Sequence, residues 1–315
     1  MHDDITDIPG IRVGHDTNLE AATGCTVILC DTTAVSGVDV RGGAPATRET
    51  DLLHPLNLVE EVNAVVLTGG SAFGLDAAGG VMRYLEEHGL GYNTGVARVP
   101  IVPAAAIFDL SFGSASIRPD AAAGYRACEQ ATDDPVRQGN VGAGTGATVG
   151  KMAGPTFMMK GGLGSASTLL SDGTLVGALV VVNALGDVID PQTQEVVAGA
   201  HNPAGQEFLA TNPFGNTTIA VVVTNASLTK VQINKIAQRA HDGIAQAIRP
   251  AHTMFDGDTI FGLALGSTSQ STTNPTIAAS QVSTIGAAAA TTLARAIIKA
   301  VRHATDLHGV PAASH

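Results

Sequence analysis

The stretch Gly215-Asn216-Thr217-Thr218-Ile219-Ala220-Val221-Val222-Val223 runs a turn straight into a strand with no spacer. Gly-Asn is turn chemistry, and the β-branched run behind it suits a strand buried on both faces. A hydroxyl residue at the head of such a strand is where a self-cleaving precursor would make a new N-terminus. Breaking the Asn216–Thr217 bond would leave Thr217 with a nucleophilic Oγ and a free α-amine, the Thr/N-terminal-amine pairing of nucleophilic catalysis. Such a residue carries its own base. The cut would divide the chain into a larger piece, 1–216, and a smaller one, 217–315.

Working outward, further β-rich runs cover residues 11–14, 26–30, 64–67, 175–182 and 259–265, each bounded by Gly, Asp or Asn turn signals. Helical spacing covers 73–88, with Ser71 as cap and Gly89 just past the end. Val231, Ile236, Ala240 and Ile244 mark one face of a second helix, preceded by Ser227 and ending before Pro250. An alanine-rich helix over about 277–303 follows. Strands occur in pairs as well as alternating with helices, which departs from βαβ repetition. An α/β fold with two sheets between helical layers suits the pattern, as one unit over 1–315 without a linker. The Ser- and Thr-rich stretch 266–275 reads as an exposed, mobile loop.

The 315 residues are 44% hydrophobic and 14% charged, so the chain can bury a large core, and 37 glycines imply closely approaching backbones. Net charge is −11 with 17 basic residues scattered along the chain. No Lys/Arg stripe exists to track a phosphate backbone, which argues against a nucleic-acid partner. The acidic excess serves solubility and weakly favours amine-bearing substrates. Cys25, Cys30 and Cys128 form neither a disulfide framework nor a metal set and read as reduced, buried thiols. The first residues lack a basic stretch followed by an apolar one, and the longest apolar stretches read as strand-sized, far short of the ~20 residues that span a bilayer. A cytoplasmic protein without membrane partners is expected. His-x-x-x-His, Glu-x-x-His and Gly-x-Ser-x-Gly motifs are absent, which argues against zinc and α/β-hydrolase chemistry.

Residues 142–151, Gly-Ala-Gly-Thr-Gly-Ala-Thr-Val-Gly-Lys, invite a phosphate-loop reading and hence a nucleotide-dependent transferase. Thr145 stands where such a loop needs Gly and Met152 where it needs Ser or Thr, so the glycines instead suit a backbone that approaches a reaction centre beside Lys151. Residues 160–165, Lys-Gly-Gly-Leu-Gly-Ser, read as a glycine turn near the site. Asp256-Gly257-Asp258 is a turn by composition, yet carboxylates two positions apart beside a strand can share a face and converge on a hydroxyl and an amine. Asn183, at the end of the strand over 175–182, is either turn chemistry or an amide donor to an oxyanion. His252 reads as structural rather than as a general base.

Over nearly its whole length the chain resembles the DmpA family of L-aminopeptidase/D-esterases, whose relatives include β-peptidyl aminopeptidases and the nylon-oligomer hydrolase. The resemblance is carried by Ile5-Thr6-Asp7-Ile8-Pro9-Gly10-Ile11-Arg12-Val13-Gly14-His15, by Leu67-Thr68-Gly69-Gly70-Ser71-Ala72-Phe73-Gly74-Leu75, and by the C-terminal helix. Gly-Asn-Thr-Thr-Ile and Asp-Gly-Asp-Thr look most like the nylon-oligomer branch. The resemblance implies a four-layer αββα fold, self-cleavage at Asn216/Thr217, and a homo-oligomer, often a tetramer, of processed heterodimers. It implies hydrolysis of an amide or ester bond in a small molecule or short peptide, with no metal or organic cofactor. By the same resemblance Thr217 is the nucleophile, Lys151 the lysine beside it, Asn183 the oxyanion donor, and Asp256 and Asp258 the acidic partners. Phe108 stands where several relatives carry a tyrosine. An unprocessed, non-catalytic binding protein of the same fold is the competing possibility.

Overall fold

Period-two alternation sorts the strand side chains of this chain into three cores. The computed structural model describes residues 1–200, 215–266 and 275–313, so the Ser- and Thr-rich stretch lies outside the described residues apart from its ends. In chain order the main elements are β1 (Ile11–Asn18), β2 (Thr23–Val40), β3 (Thr47–Arg48), β4 (Glu61–Thr68), α1 (Ser71–Gly74), α2 (Ala77–Glu87), β5 (Ala104–Ala106) and α3 (Ala121–Glu129). They continue with β6 (Gly162–Leu169), β7 (Leu175–Asn183), β8 (Thr217–Thr224), α4 (Lys230–Ala247), β9 (Thr259–Ala264) and α5 (Pro275–Arg302).

Leu179 and Val181 of β7, Ile219, Val221 and Val223 of β8, and Phe261 and Leu263 of β9 meet Ile28, Val65 and Leu67 in a central core between strand layers. Their alternates Val180, Val182, Ala220, Val222 and Ile260 pack under Ile233, Ile236 and Ile244 of α4 and Leu293 and Ile297 of α5. On the far side Val27, Leu29, Ala64 and Val66 meet Ala77, Val81, Leu85, Ala123 and Ala127 of α2 and α3. Three cores make four layers, helix–strand–strand–helix. Each fully buried Val, Leu or Ile contributes about 1.5–3 kcal/mol, so a register slip on any central strand would exchange two cores at once.

The two strand layers are one continuous ladder rather than separate sheets, with strand order β6-β7-β8-β9-β2-β4-β5-β3 and β1 also on β2. The cause is β2, whose 18 residues run roughly 60 Å when extended, too long for a single layer. Its first half pairs with β1 and its last residues with β9, and its register against β4 shifts between Leu29 and Ala34. Such an irregularity is how a strand turns a corner between layers.

Several local expectations need correction. The stretch 73–88 is two helices, α1 and α2, broken at Leu75-Asp76. Ser71 is no cap: it opens α1 at φ +55°, behind Gly70 at φ +80°, whose N–H donates to Asp109 Oδ1 at 2.7 Å. Gly89 does follow α2, at φ +70°. The cap of α4 is Thr229, in a reciprocal capping box with Gln232, rather than Ser227. Residues 160–165 are no turn: Gly162–Leu169 is strand β6, where a Cβ on Gly164 would stand 2.1 Å from the Ala296 carbonyl of α5. The longest apolar stretch is α5 rather than a strand. By length and composition its residues Thr276–Arg302 could cross a bilayer, yet 67% of its apolar window is buried against the rest of the molecule. The three cysteines are free and buried, as expected, and burial pushes the Cys30 thiol up to about 12.

Candidate active site

The site forms where three chain segments end side by side. Thr217, first residue of β8, lies opposite Asn183, last residue of β7, in the antiparallel register. On the other flank β8 runs parallel to β9, and the segment leading into β9 continues that pairing: Asn216 bridges to Asp256, and the Gly257 N–H donates to the Asn216 carbonyl at 3.0 Å. Thr217 Oγ1 donates to the same carbonyl. Asn183, Asn216, Thr217, Asp256 and Asp258 are all at most 4% exposed, so each polar group depends on a protein partner.

Two glycines allow close backbone approach here. A Cβ on Gly257 would stand 3.0 Å from Thr217 Oγ1, so the nucleophile candidate packs directly over that residue. A Cβ on Gly42 would meet the Asp256 carbonyl oxygen at 2.2 Å and the Asp258 nitrogen at 2.4 Å. That second approach lets Arg41, Gly42 and Ala44 donate their N–H groups to the carbonyls of Asp258 and Asp256 and clamp the acidic turn.

The two carboxylates are held differently. Asp258 Oδ1 accepts from the Thr218 N–H at 2.7 Å, and its Oδ2 accepts from the His252 N–H at 3.0 Å and contacts His252 Nδ1 at 2.8 Å. Asp256 Oδ2 accepts from the Thr253 N–H at 2.7 Å. Burial first, and the Asp258 charge second, raise the proton affinity of Asp256, against the Thr253 N–H and Lys151.

Lys151 and Asn183 form the opposite wall. Lys151 Nζ donates to Asn183 Oδ1 at 2.8 Å, to the Gly215 carbonyl at 2.9 Å and to the Asn183 carbonyl at 3.0 Å. Burial takes this ammonium down to about 7, with Asp256 pulling the other way. Asn183 Nδ2 donates to the carbonyls of Gly215 at 3.0 Å and Phe108 at 3.2 Å, while its Oδ1 accepts from the Thr148 N–H at 3.0 Å. The glycine-rich segment before Lys151 therefore serves the site through its backbone. It forms a single 3₁₀ turn, Gly142–Gly144, and a two-residue strand, Thr148–Val149, not the strand–loop–helix that cradles phosphate. That geometry removes the basis of the nucleotide-transferase alternative.

Thr217 lines a cavity of about 220 Å³ together with the apolar Ala44, Ala46, Ala106, Phe108 and Phe255 and with Ser71, Gly215 and Asn216. The structure thus brings together all of Thr217, Asn216, Asn183, Lys151, Asp256 and Asp258. It adds three groups that the sequence reading did not assign to the site: the Gly257 N–H, the Phe108 carbonyl and His252. The first two are backbone groups, which leave no side-chain signature. Among the described residues no three His, Cys, Asp or Glu side chains converge as metal ligands.

The model of peptidase family S58 matches residues 3–314 of this chain. The chain belongs to that family. The S58 chain is 46% identical to an uncharacterized aminopeptidase of Mycobacterium leprae, over 98% of this chain and 92% of the relative. It is 33% identical to the 6-aminohexanoate-oligomer endohydrolase of Kocuria sp., over 82% and 73% respectively. Among solved structures, the L-aminopeptidase D-Ala-esterase/amidase of Ochrobactrum anthropi matches with a TM-score of 0.76 at 21% identity, over 98% of this chain and 88% of that one. A Burkholderia sp. β-aminopeptidase matches at 0.74 and 23% identity, over 100% and 90%. These likenesses show the fold, an α/β sandwich of the N-terminal-nucleophile hydrolase type. The S58 chain is a hydrolase of amide bonds, and the family resemblance read from its motifs holds.

Proposed function

We propose that Thr217 is the nucleophile of this hydrolase and that the chain matures by cutting itself between Asn216 and Thr217, into 1–216 and 217–315. The juxtaposition that supports this most is at one carbonyl: Thr217 Oγ1 lies against the Asn216 oxygen, and the Gly257 N–H is already aimed at that oxygen from 3.0 Å. In maturation Oγ attacks the Asn216 carbonyl carbon, and charge developing on its oxygen falls on the Gly257 N–H, a preorganised donor. The Thr217 nitrogen leaves with a proton, an ester links Asn216 to Thr217 Oγ, and water hydrolyses it.

Withdrawal of the new C-terminus, Gly215-Asn216, from Thr217 then unmasks the site while the rest of 1–216 stays in place. The Gly215 carbonyl holds both Lys151 Nζ and Asn183 Nδ2 in the uncut chain, so its withdrawal frees two donors beside the cavity for substrate. Turnover repeats the same chemistry on an external acyl donor. The new α-amine, with an ordinary pKa of about 7.7–8.0, accepts the Oγ proton, and Asn183 serves the oxyanion. Lys151 favours the neutral amine by repulsion and Asp256 and Asp258 its protonated form, so their balance sets the pH optimum.

A cavity of this size, lined by alanine and phenylalanine, fits one short acyl residue of a peptide, β-peptide, ω-amino-acid oligomer or ester. Leu56, Leu58 and Val96 stand 85–95% exposed, and we read them as surface for assembly of the processed heterodimer into a homo-oligomer. The test is a panel of aminoacyl p-nitroanilides and short ω-amino-acid amides given to purified protein of known cleavage state. Hydrolysis that appears only with cut chain supports the reading. Hydrolysis by chain that stays whole, or none by fully cut chain on any member of the panel, opposes it.

A further inference from the structure

Two carboxylates flank Thr217, and the residue that distinguishes them is His252. This histidine has a left-handed backbone, φ +57°, a conformation strained for a residue bearing a Cβ and kept only where the surroundings enforce it. What the conformation achieves is specific: it turns both the backbone N–H and the ring Nδ1 of one residue onto one oxygen, Asp258 Oδ2, at 3.0 and 2.8 Å. Because the partner is an acceptor, Nδ1 carries the hydrogen. With the Thr218 N–H on Oδ1, Asp258 collects three donors, which fix the orientation of its carboxyl.

The histidine is in turn held in place. Its ring packs edge-on against His241 of α4, centroids 4.8 Å apart. His241 Nε2 lies 3.1 Å from the Asp39 carbonyl oxygen and 3.4 Å from Asp39 Oδ2, and Arg41 Nε pairs with that carboxylate at 2.7 Å. The charged and titratable groups around His252 are therefore Asp258, His241, Asp39 and Arg41, with Asp256 held by the adjacent Thr253 N–H at 2.7 Å.

We infer that His252 is the positioning residue that commits Asp258 Oδ2 to its own two donors and leaves Asp256 as the carboxyl that exchanges a proton with the Thr217 amine. The inference rests on Thr217 being the nucleophile. Two carboxyls at one site do not ionise independently, and the one that collects fewer donors is the better placed to carry the proton. The raised proton affinity of Asp256 agrees with that assignment.

The test compares His252→Asn, His252→Gln and His252→Ala. Asparagine tolerates the left-handed backbone and places an N–H donor near Nδ1, whereas the glutamine donor reaches beyond it. Each variant is followed by intact mass over time for self-cleavage. After cleavage, kcat and KM are measured against pH with an aminoacyl p-nitroanilide, with circular dichroism as the check on folding. The Ala and Gln variants are expected to cleave and turn over about ten- to a hundredfold more slowly, with KM changed less than about twofold and the acid limb of the kcat profile displaced. His252→Asn is expected to recover most of the rate and the wild-type limb. Folded Asn and Gln variants that are equally impaired, or all variants matching wild type, would overturn the inference. Should alanine fail to fold, the Asn–Gln pair alone decides. Wild-type chain that never cuts would overturn both this inference and the nucleophile assignment, an outcome distinct from cut wild type with indifferent variants.

Discussion

Asn183 and Thr217 are the two ends of one register pair, the last residue of β7 facing the first of β8. The sheet register thus sets an amide side chain opposite a hydroxyl, and loop groups then orient it. In the uncut chain Asn183 is fully buried and bonded to Thr148, Lys151, Phe108 and Gly215. Asn183→Ala leaves the Thr148 N–H without this acceptor and removes the amide from the acyl site. The variant is expected to fold with about 1–3 kcal/mol less stability and to lose roughly 100- to 1000-fold in kcat. Urea unfolding and steady-state kinetics on cleaved protein check both, and unchanged kinetics would return Asn183 to a turn-forming role.

Gly257 lies directly under the nucleophile. A methyl there would press on Thr217 Oγ1 at 3.0 Å, on the Ala44 carbonyl at 3.1 Å and on Thr217 Cγ2 at 3.2 Å, while the N–H on the Asn216 oxygen is kept. Gly257→Ala is expected to slow self-cleavage by about ten- to a hundredfold, because displacement of the attacking atom costs rate before it costs stability. A time course by denaturing gel measures it. Cleavage at the wild-type rate would show that Oγ does not attack from this position.

Lys160 gives a pH signature away from the nucleophile. It is fully buried, with Nζ donating to the Thr145 carbonyl at 2.9 Å, and burial lowers it from 10.5 to about 7. Between those values the unfolded chain binds this proton and the folded chain does not, so stability rises with pH there, by up to about 1.4 kcal/mol per pH unit. Buried thiols act in the opposite sense above their ordinary 9.0, because the unfolded chain ionises them first. Lys151, lowered to about 7 by the same cause, adds to the rise, so comparison with a Lys160 variant over pH 7 to 9 isolates the Lys160 contribution. Lys160→Met is expected to show a shallower rise there than wild type in urea titrations, and equal slopes would mean that the lysine stays charged when folded.

Much of the architecture was legible because it follows from short-range pattern. The run 219–223, the spacing of Asp256 and Asp258, and the apolar face of α4 each announce their element within a few residues. The bend of β2 and the break between α1 and α2 were not, since both involve partners from elsewhere: β9 against the second half of β2, and the Ala121 N–H on Asp76 Oδ2 at the break. In the site the side chains carried a signal and the backbone donors did not. His252 was visible as a residue but not as a partner of Asp258, because the contact depends on a positive φ that its sequence neighbours do not encode.

Intact-mass analysis of purified wild-type protein and of Thr217→Ala, each paired with an aminoacyl anilide assay, tests the central claim most directly. Wild type is expected to resolve into the masses of 1–216 and 217–315 and to hydrolyse substrate, and Thr217→Ala to stay whole and inactive. Full activity from a chain whose Asn216–Thr217 bond is unbroken, or cleavage at that bond without the Thr217 hydroxyl, would contradict it.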